Sequence, residues 1–403
     1  MTTSETAVRT HRRSSPAILV TSFAFSVTMM GTTLPTPLYP IYAHELAFTT
    51  LTVTALFAVY AIGVVATLLL LGRLSDQIGR KPVLLTAVGL AAVSAALFLL
   101  PPALPVLVCA RVISGIAAGL MSGAGTATVI DLYGPQRKSV AGITAVAVNT
   151  GGLALGTLLS GVLADLTDAA LVVPYLVYLA LTIVAVGATM FGLPADPRKT
   201  NVGKLFQRPR VPVEIRGAFI RAVLAAGSGF AVTGVLTAVS GLLLAQYLHV
   251  HSHAAAGGVV CLAFSGMAAG QLAARTLTPT RAQIVGCAGM VVAAALIAAA
   301  LRTLSLAALL AAATIVGVSG GMCLLAGLAA TVEQTPVERR GEVSSAFFAG
   351  LYTMLAVPAV GVGALATASD LITAGVVFAG LVALLAATVG IGEMRAGRTA
   401  RTA

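Results

Sequence analysis

Charged residues and prolines divide this chain into twelve apolar segments, each about as long as a helix that crosses a lipid bilayer. The segments cover residues 17–42, 50–72, 82–100, 105–129, 139–163, 170–193, 221–247, 255–274, 282–301, 304–331, 343–367 and 371–392. About 20 apolar residues span the hydrocarbon core, where a helix satisfies all of its own backbone hydrogen bonds. The sequence therefore predicts an all-α integral membrane protein with about twelve transmembrane helices.

The composition excludes most other classes of protein. Of the 403 residues, 58% are hydrophobic and only 9% are charged, whereas a soluble domain has about 25% charged residues. The four cysteines lie inside apolar segments without paired spacing, which indicates packing residues and no metal site. The sequence has no P-loop for ATP. We therefore predict no enzyme activity and no catalytic, cofactor-binding or metal-binding residues.

The basic residues predict the orientation of the chain in the membrane. Of the 24 Lys and Arg residues, all but Arg111 and Arg302 lie in the two tails or in every second connection between segments. Connections that are rich in Lys and Arg remain on the cytoplasmic side. Both termini are therefore expected in the cytoplasm, with the chain in the cell membrane. Because topology explains the net charge of +11, we predict no binding of nucleic acid.

The chain also contains an internal duplication. A polar, proline-rich stretch at its midpoint suggests a bundle at 1–195, a cytoplasmic linker at 196–216 and a second bundle at 217–403. Asp131 and Glu333 are 202 residues apart, and the same offset relates basic pairs and glycines in the two halves. A constant offset across several elements indicates two related six-helix units.

The connection after the second segment carries a cluster of glycines and charges. It reads GRLSDQIGRK and contains Gly72, Asp76, Gly79, Arg80 and Lys81. The glycines permit a tight turn, and the charges can pair with each other or with helix ends. A solvated turn is the alternative interpretation of these residues taken alone.

This connection resembles the signature of the major facilitator superfamily. That signature has glycine, three residues, aspartate, a basic residue, one residue, glycine, arginine and a basic residue, and the present chain departs from it only at Gln77. The resemblance implies twelve helices in two pseudo-symmetric six-helix bundles. It also implies a secondary transporter, similar to the drug and metabolite exporters of that family.

The resemblance further implies a set of gating residues. Asp76 and Arg80 would hold one end state on the cytoplasmic side, with Asp131 as the acidic partner of Arg80. Glu333, the counterpart of Asp131, is expected to pair with Arg275 in the second half. The second half has no full copy of the signature, so the gate is expected to be asymmetric.

Five residues are candidates for the transport pathway. Arg111 lies within the fourth segment, where a charge costs about 2.5–3.5 kcal/mol or more. It either extends to the outer interface or acts in transport, because the family has an arginine here that is implicated in proton coupling or substrate contact. Asn149, Tyr39, Tyr60 and Tyr352 could line the cavity, with helix packing or interfacial anchoring as the alternative.

Glycines at helical spacing predict close helix packing. The fifth segment resembles a proline-containing helix of the family's exporters, although Thr157 and Ser160 replace the expected proline and glycine. This incomplete match favours export. The packing glycines are Gly115, Gly119, Gly152, Gly156, Gly317 and Gly321.

The expected function is secondary active transport by alternating access. A monomer in the bilayer would export drug-like or weakly polar compounds, with the first, fourth, seventh and tenth spans around the substrate. Proton coupling rests on the resemblance, since no Asp or Glu lies in the middle of a segment. Uptake of a sugar or other small nutrient is the alternative within this class. A non-transporting receptor or scaffold would need a large polar appendage, and a channel would need an oligomeric pore.

Overall fold

The computed structural model describes residues 2–72, 74–194, 211–336 and 339–402, and these residues form helices and short connections with no strand among them. Residues 195–210, and with them most of the predicted linker, lie outside this part. Twelve helices of the described residues are long and apolar enough to cross a membrane. They are α1 Thr2–Thr33, α2 Thr50–Leu71, α3 Arg80–Phe98, α4 Leu104–Tyr133, α5 Lys138–Asp165, α6 Val173–Gly192, α7 Arg216–Gln246, α8 His253–Ala274, α9 Pro279–Thr303, α10 Leu306–Glu333, α11 Arg340–Ala368 and α12 Leu371–Thr402.

The first span is interrupted where its three prolines lie. Helix α1 ends at Thr33, and a 3-10 turn at Thr36–Leu38 leads into a short helix at Tyr39–Glu45. Proline lacks a backbone donor and clashes with the preceding turn, so a regular helix cannot continue through these positions. The first span therefore consists of a long helix and a short one joined by a 3-10 turn.

Helix pairs within the two halves repeat the same packing. In the first half Gly115 of α4 lies against the backbone carbonyl of Tyr60 in α2. In the second half Gly317 of α10 lies against the backbone carbonyl of Ala263 in α8. A side chain at either glycine would collide with backbone, so these helices approach as closely as their backbones allow.

Contacts between the halves repeat as well. Gly161 of α5 lies against the carbonyl of His253 in α8, and Gly363 of α11 lies against the side chain of Thr54 in α2. The pairs α5–α8 and α11–α2 occupy equivalent places in the two halves. The offset found in the sequence therefore corresponds to a repeat in three dimensions.

The other predicted packing glycines also lie at close helix contacts. Gly119 faces Thr67 of α2, and Gly321 faces the carbonyl of Met267 in α8. Gly152 and Gly156 bring α5 onto α1. Gly123, which continues the glycine spacing of α4, has open space at its Cβ position. The close packing of α4 on α2 along this line of glycines therefore ends before this residue.

Candidate functional site

The two ends of the bundle can be distinguished by which connections lie there. Consecutive spanning helices alternate in direction, so both termini and the connection between α6 and α7 lie at one end. Arg221 near the start of α7 pairs there with Glu393 near the end of α12, at 2.7 Å. We call this the linker end and the opposite one the far end.

A cavity of about 580 Å³ lies between the two halves. At the linker end its described lining includes Gly72, Ser75, Gly142, Arg275 and Gly341, and its deep part includes Thr32, Thr33, Tyr60, Phe230, Thr237 and Tyr352. The predicted lining by the first, fourth, seventh and tenth spans is incomplete. Residues of α2, α5, α8 and α11 also line the cavity, because it follows the interface along which these helices face each other.

Aromatic rings form a continuous cluster at the deep end of the cavity. Phe57 and Tyr60 of α2 have ring centroids 6.4 Å apart, and Tyr60 meets Tyr352 of α11 edge to face at 6.3 Å. Tyr352 in turn meets Phe230 of α7 at 6.1 Å. The cluster crosses from the first half to the second, and we call these four residues the aromatic cluster. It presents ring faces and edges to any molecule in the cavity.

Arg111 lies behind this cluster in the interior of the first half. Its side chain is 1% exposed, and its Nη1 donates to the Thr32 carbonyl at 2.8 Å. Its Nε donates to the Leu56 carbonyl at 3.4 Å, and its guanidinium carbon lies 4.7 Å from the centre of the Tyr60 ring. The guanidinium therefore does not extend to the membrane interface.

The other predicted pathway residues divide into two groups. Asn149, Tyr60 and Tyr352 line the cavity. Tyr39 is buried in the core and is not part of the described lining. Its hydroxyl has no hydrogen-bond partner among the described residues. The roles of these four residues in transport remain predictions.

The signature loop forms a tight turn at the linker end. Gly79 has φ of 99°, a conformation that glycine adopts without steric cost. A Cβ at Gly72 would lie 3.1 Å from Ser345 Oγ in the second half, so the loop lies close to the start of α11. Asp76 lies in the short helix Leu74–Ile78, but its side chain lies outside the described residues.

The predicted contact between Arg80 and Asp131 is present. Arg80 Nε lies 3.3 Å from Asp131 Oδ2, and Arg80 Nη1 donates to Ser75 Oγ at 2.7 Å. All three residues belong to the first half. In this state the pair ties the signature loop to the end of α4, and its role in gating remains a prediction.

Lys81 contacts the end of another helix. Its ammonium donates to the carbonyls of Met190 at 2.8 Å and Leu193 at 2.6 Å. These are terminal carbonyls of α6, which have no partner within the helix and carry the negative end of its dipole. Lys81 therefore caps α6 within the first half.

The predicted ion pair between Arg275 and Glu333 is wrong for this state. Arg275 Nη1 instead donates to the carbonyl and hydroxyl of Ser139, at 3.1 and 3.3 Å. Helix α8 ends beside the start of α5 in the other half, where Gly142 leaves room for the guanidinium. Arg275 therefore bridges the two halves at the mouth of the cavity.

A contact at the far end was missed by sequence reasoning. The Asp165 carboxylate at the end of α5 accepts from the backbone N–H groups of His253 and Ala254 at 2.8 and 3.0 Å. It also accepts from Ser252 Oγ at 2.7 Å, and His253 Nδ1 lies 2.8 Å away. A side chain of the first half thus caps a helix of the second. Ser252 marks that helix start in the sequence, but nothing there identifies the carboxylate.

Two related helical bundles around a central cavity, with nearly all of the described charges near helix ends, define a multi-pass membrane transporter. The family model described as Major Facilitator Superfamily matches residues 21–358. The chain belongs to this superfamily, and it is a transporter rather than an enzyme.

Solved structures share the fold. A bacterial homolog of the human lysosomal transporter Spinster, in an inward-facing and unoccupied conformation, superimposes with a TM-score of 0.76 and 14% identity over 95% of this chain and 97% of that one. A point mutant of the nucleoside transporter NupG gives a TM-score of 0.72 and 13% identity over 94% of this chain and 99% of that one.

Proposed function

We propose that this protein exports drug-like, weakly polar compounds from the cell by alternating access, with an inward proton gradient as the driving force. The cavity between the halves carries the proposal: it reaches from the middle of the bundle to the linker end. Its volume of about 580 Å³ lies within the range of about 300–1,000 Å³ that holds drug-sized ligands.

Contacts between the halves support alternating access. At the far end α5 packs on α8 and α11 packs on α2, so a substrate in the cavity is separated from that side. To release it there, the halves must separate along both pairs while the linker end closes. A substrate drives this change only if it binds the two end states with different affinities.

The orientation and lining of the cavity support export. We place the linker end in the cytoplasm because it carries nearly all basic residues. The cavity in this state would then fill from the cytoplasm. Its described lining is mainly aliphatic and aromatic, with hydroxyl and amide groups such as those of Thr32, Thr237 and Asn149. Such a surface suits compounds of low polarity.

Proton coupling requires a group that gains and loses a proton during the cycle. Among the described residues, the lining of the cavity includes no carboxylate. Candidates therefore lie at helix ends, where Asp131 borders the linker end and Asp165 the far end. Asp165 contacts the second half, and opening of the far end could remove this contact, whereas Asp131 contacts Arg80 within the first half.

Flux measurements in liposomes test this proposal. The purified protein is reconstituted, and uptake of a panel of amphiphilic fluorescent compounds is followed with and without an imposed pH gradient. We expect gradient-dependent flux, which Asp131→Asn or Asp165→Asn reduces about tenfold or more if that carboxylate carries the proton. Asp168→Asn, an exposed carboxylate at the far end, is the control. Flux that ignores the gradient would contradict proton coupling, and absence of flux would contradict export.

A further inference from the structure

Arg111 is a buried cation that has no anionic partner among the described residues. Its hydrogen bonds go to the carbonyls of Thr32 and Leu56, and its Nη2 has no hydrogen-bond partner. Burying a charge is costly unless an opposite charge or a full set of hydrogen bonds compensates it. The side chain nevertheless lies only 1% exposed. The protein in this state therefore leaves part of the charge of Arg111 uncompensated.

The uncompensated charge lies directly behind the wall of the cavity. Three residues that contact the guanidinium, Thr32, Phe57 and Tyr60, also line the deep end. The guanidinium carbon is 4.7 Å from the Tyr60 ring centre and 5.9 Å from that of Phe57. Apolar surroundings screen a charge much less than water does. The deep end of the cavity therefore has a positive potential.

The rest of the described lining adds no negative charge. Its only ionisable side chain with a charge at neutral pH is Arg275 at the mouth. A cationic compound would therefore approach one guanidinium at the entrance and a second one behind the deep wall. An anionic compound would be attracted by both.

We propose that the cavity binds amphiphilic monoanions, with the anionic group at the deep end near Arg111 and the apolar body against the aromatic cluster. The inference rests on the proposed function and names the substrate class for that site. One buried cation compensates one negative charge. A second negative charge on the ligand would remain unpaired against the apolar wall of the cavity. Binding involves no covalent step.

Three matched compounds test the charge preference. Naphthaleneacetate, naphthaleneacetamide and naphthylethylammonium share one ring system and carry a negative charge, no charge and a positive charge. The chain contains no tryptophan, so naphthalene fluorescence reports binding to the detergent-purified protein. We expect the acid to bind at least tenfold more tightly than the amide, and the ammonium compound to bind most weakly.

Variants assign the preference to Arg111. Arg111→Gln should remove the tenfold advantage of the acid and leave binding of the amide within about threefold, whereas Arg111→Lys should retain part of the advantage. Arg302→Gln, which removes an exposed arginine at the far end, should change neither affinity. If Arg111→Gln does not fold, the order of the three compounds on the unmodified protein still decides the question.

Several outcomes would overturn the inference. They are equal binding of acid and amide, tighter binding of the ammonium compound, or no binding of the acid. Displacement of bound naphthaleneacetate by decanoate distinguishes two kinds of anion within the proposed class. Tighter binding of decanoate than of naphthaleneacetate indicates a ligand with an acyl chain, and weaker binding indicates an aromatic acid. Binding of the acid without gradient-driven flux would contradict the proposed function alone. Flux of neutral compounds without acid binding would contradict this inference alone.

Discussion

Among the described residues, two of the interfaces between the halves at the far end are related to each other by the duplication. In both, a glycine allows close packing: Gly161 between α5 and α8, and Gly363 between α11 and α2. Only α5–α8 adds a charged contact, the cap that Asp165 provides for α8. At the equivalent position α11 has Thr367, whose hydroxyl donates to its own helix at Gly363. The duplication thus preserved the packing and not the polar contact.

The atoms that meet at the two interfaces also differ. At α5–α8 each helix places a glycine against a backbone carbonyl of the other: Gly161 lies against the His253 carbonyl, and Gly257 of α8 lies against the Thr157 carbonyl. In addition, Thr157 Oγ1 donates to the Gly257 carbonyl at 3.1 Å. At α2–α11 the nearest atom to Gly363 is the Thr54 hydroxyl. A side chain can rotate away and a helical backbone cannot. We therefore expect α5–α8 to hold the far end more rigidly.

The largest effect is expected from Gly257→Val. The new side chain would collide with the α5 backbone, and overpacking of this kind costs about 1–3 kcal/mol. Because the collision exists only while the far end is closed, the population open at that end should rise about 5- to 150-fold. Spin labels at Leu166 and His251, in a protein whose native cysteines are replaced, would report a longer distance.

Gly258→Val is the matched control. This neighbouring glycine has nothing within 4 Å of its Cβ position, and the substitution changes helix propensity in the same way. Unchanged distances are expected. Equal shifts for both variants would show that helix propensity, and not the α5–α8 contact, sets the equilibrium.

A smaller effect in the same direction is expected from Gly363→Val, about 1 kcal/mol. Thr54 can rotate, although it then loses its hydrogen bond to the Leu51 carbonyl at 3.0 Å. Spin labels at the far ends of α2 and α11 would report the change. Gly361→Val, with open space at its Cβ position, should have no effect. A larger shift than for Gly257→Val would reverse the order of rigidity.

Asp165→Ala should also open the far end, by about 1 kcal/mol, the typical contribution of a helix cap. The α5–α8 distance measurement serves again. Asp370→Ala is the control, because Asp370 caps its own helix through the Thr373 N–H at 2.9 Å and crosses no interface. Hydrogen bonds from the Thr373 hydroxyl and backbone hold the pKa of Asp370 below its ordinary value, so this carboxylate is charged at neutral pH. Equal effects of the two substitutions would contradict a role for Asp165 between the halves.

The smallest effect is expected at the linker end. Arg275→Gln removes an exposed contact between the halves that is present while the linker end is open, and we expect it to shift the equilibrium away from this state by less than about 1 kcal/mol. Arg80→Gln removes a contact within the first half, so the distance between the halves should not change. Thiol labelling of a cysteine placed at Ser345 would measure both. An effect of Arg80→Gln that exceeds that of Arg275→Gln would favour the gating role that the family resemblance implies.

The sequence by itself determined the twelve spans, because each depends on the hydropathy of about 20 neighbouring residues. Every predicted segment overlaps one spanning helix, and the first is interrupted where its prolines lie. The contact between Arg80 and Asp131 was also accessible, through the resemblance of the loop to a known signature. Orientation in the membrane, proton coupling and the monomeric state stay predictions.

Tertiary structure alone decided which polar groups meet across the halves. Arg275 contacts Ser139, 136 residues away, and Asp165 contacts His253, 88 residues away. It also placed Arg111 one side chain behind the cavity wall, where the sequence showed only a charge within a span. Spacing along the chain determines which face of a helix a residue occupies. The partner of that face depends on how two bundles dock, and this is set by packing over many residues.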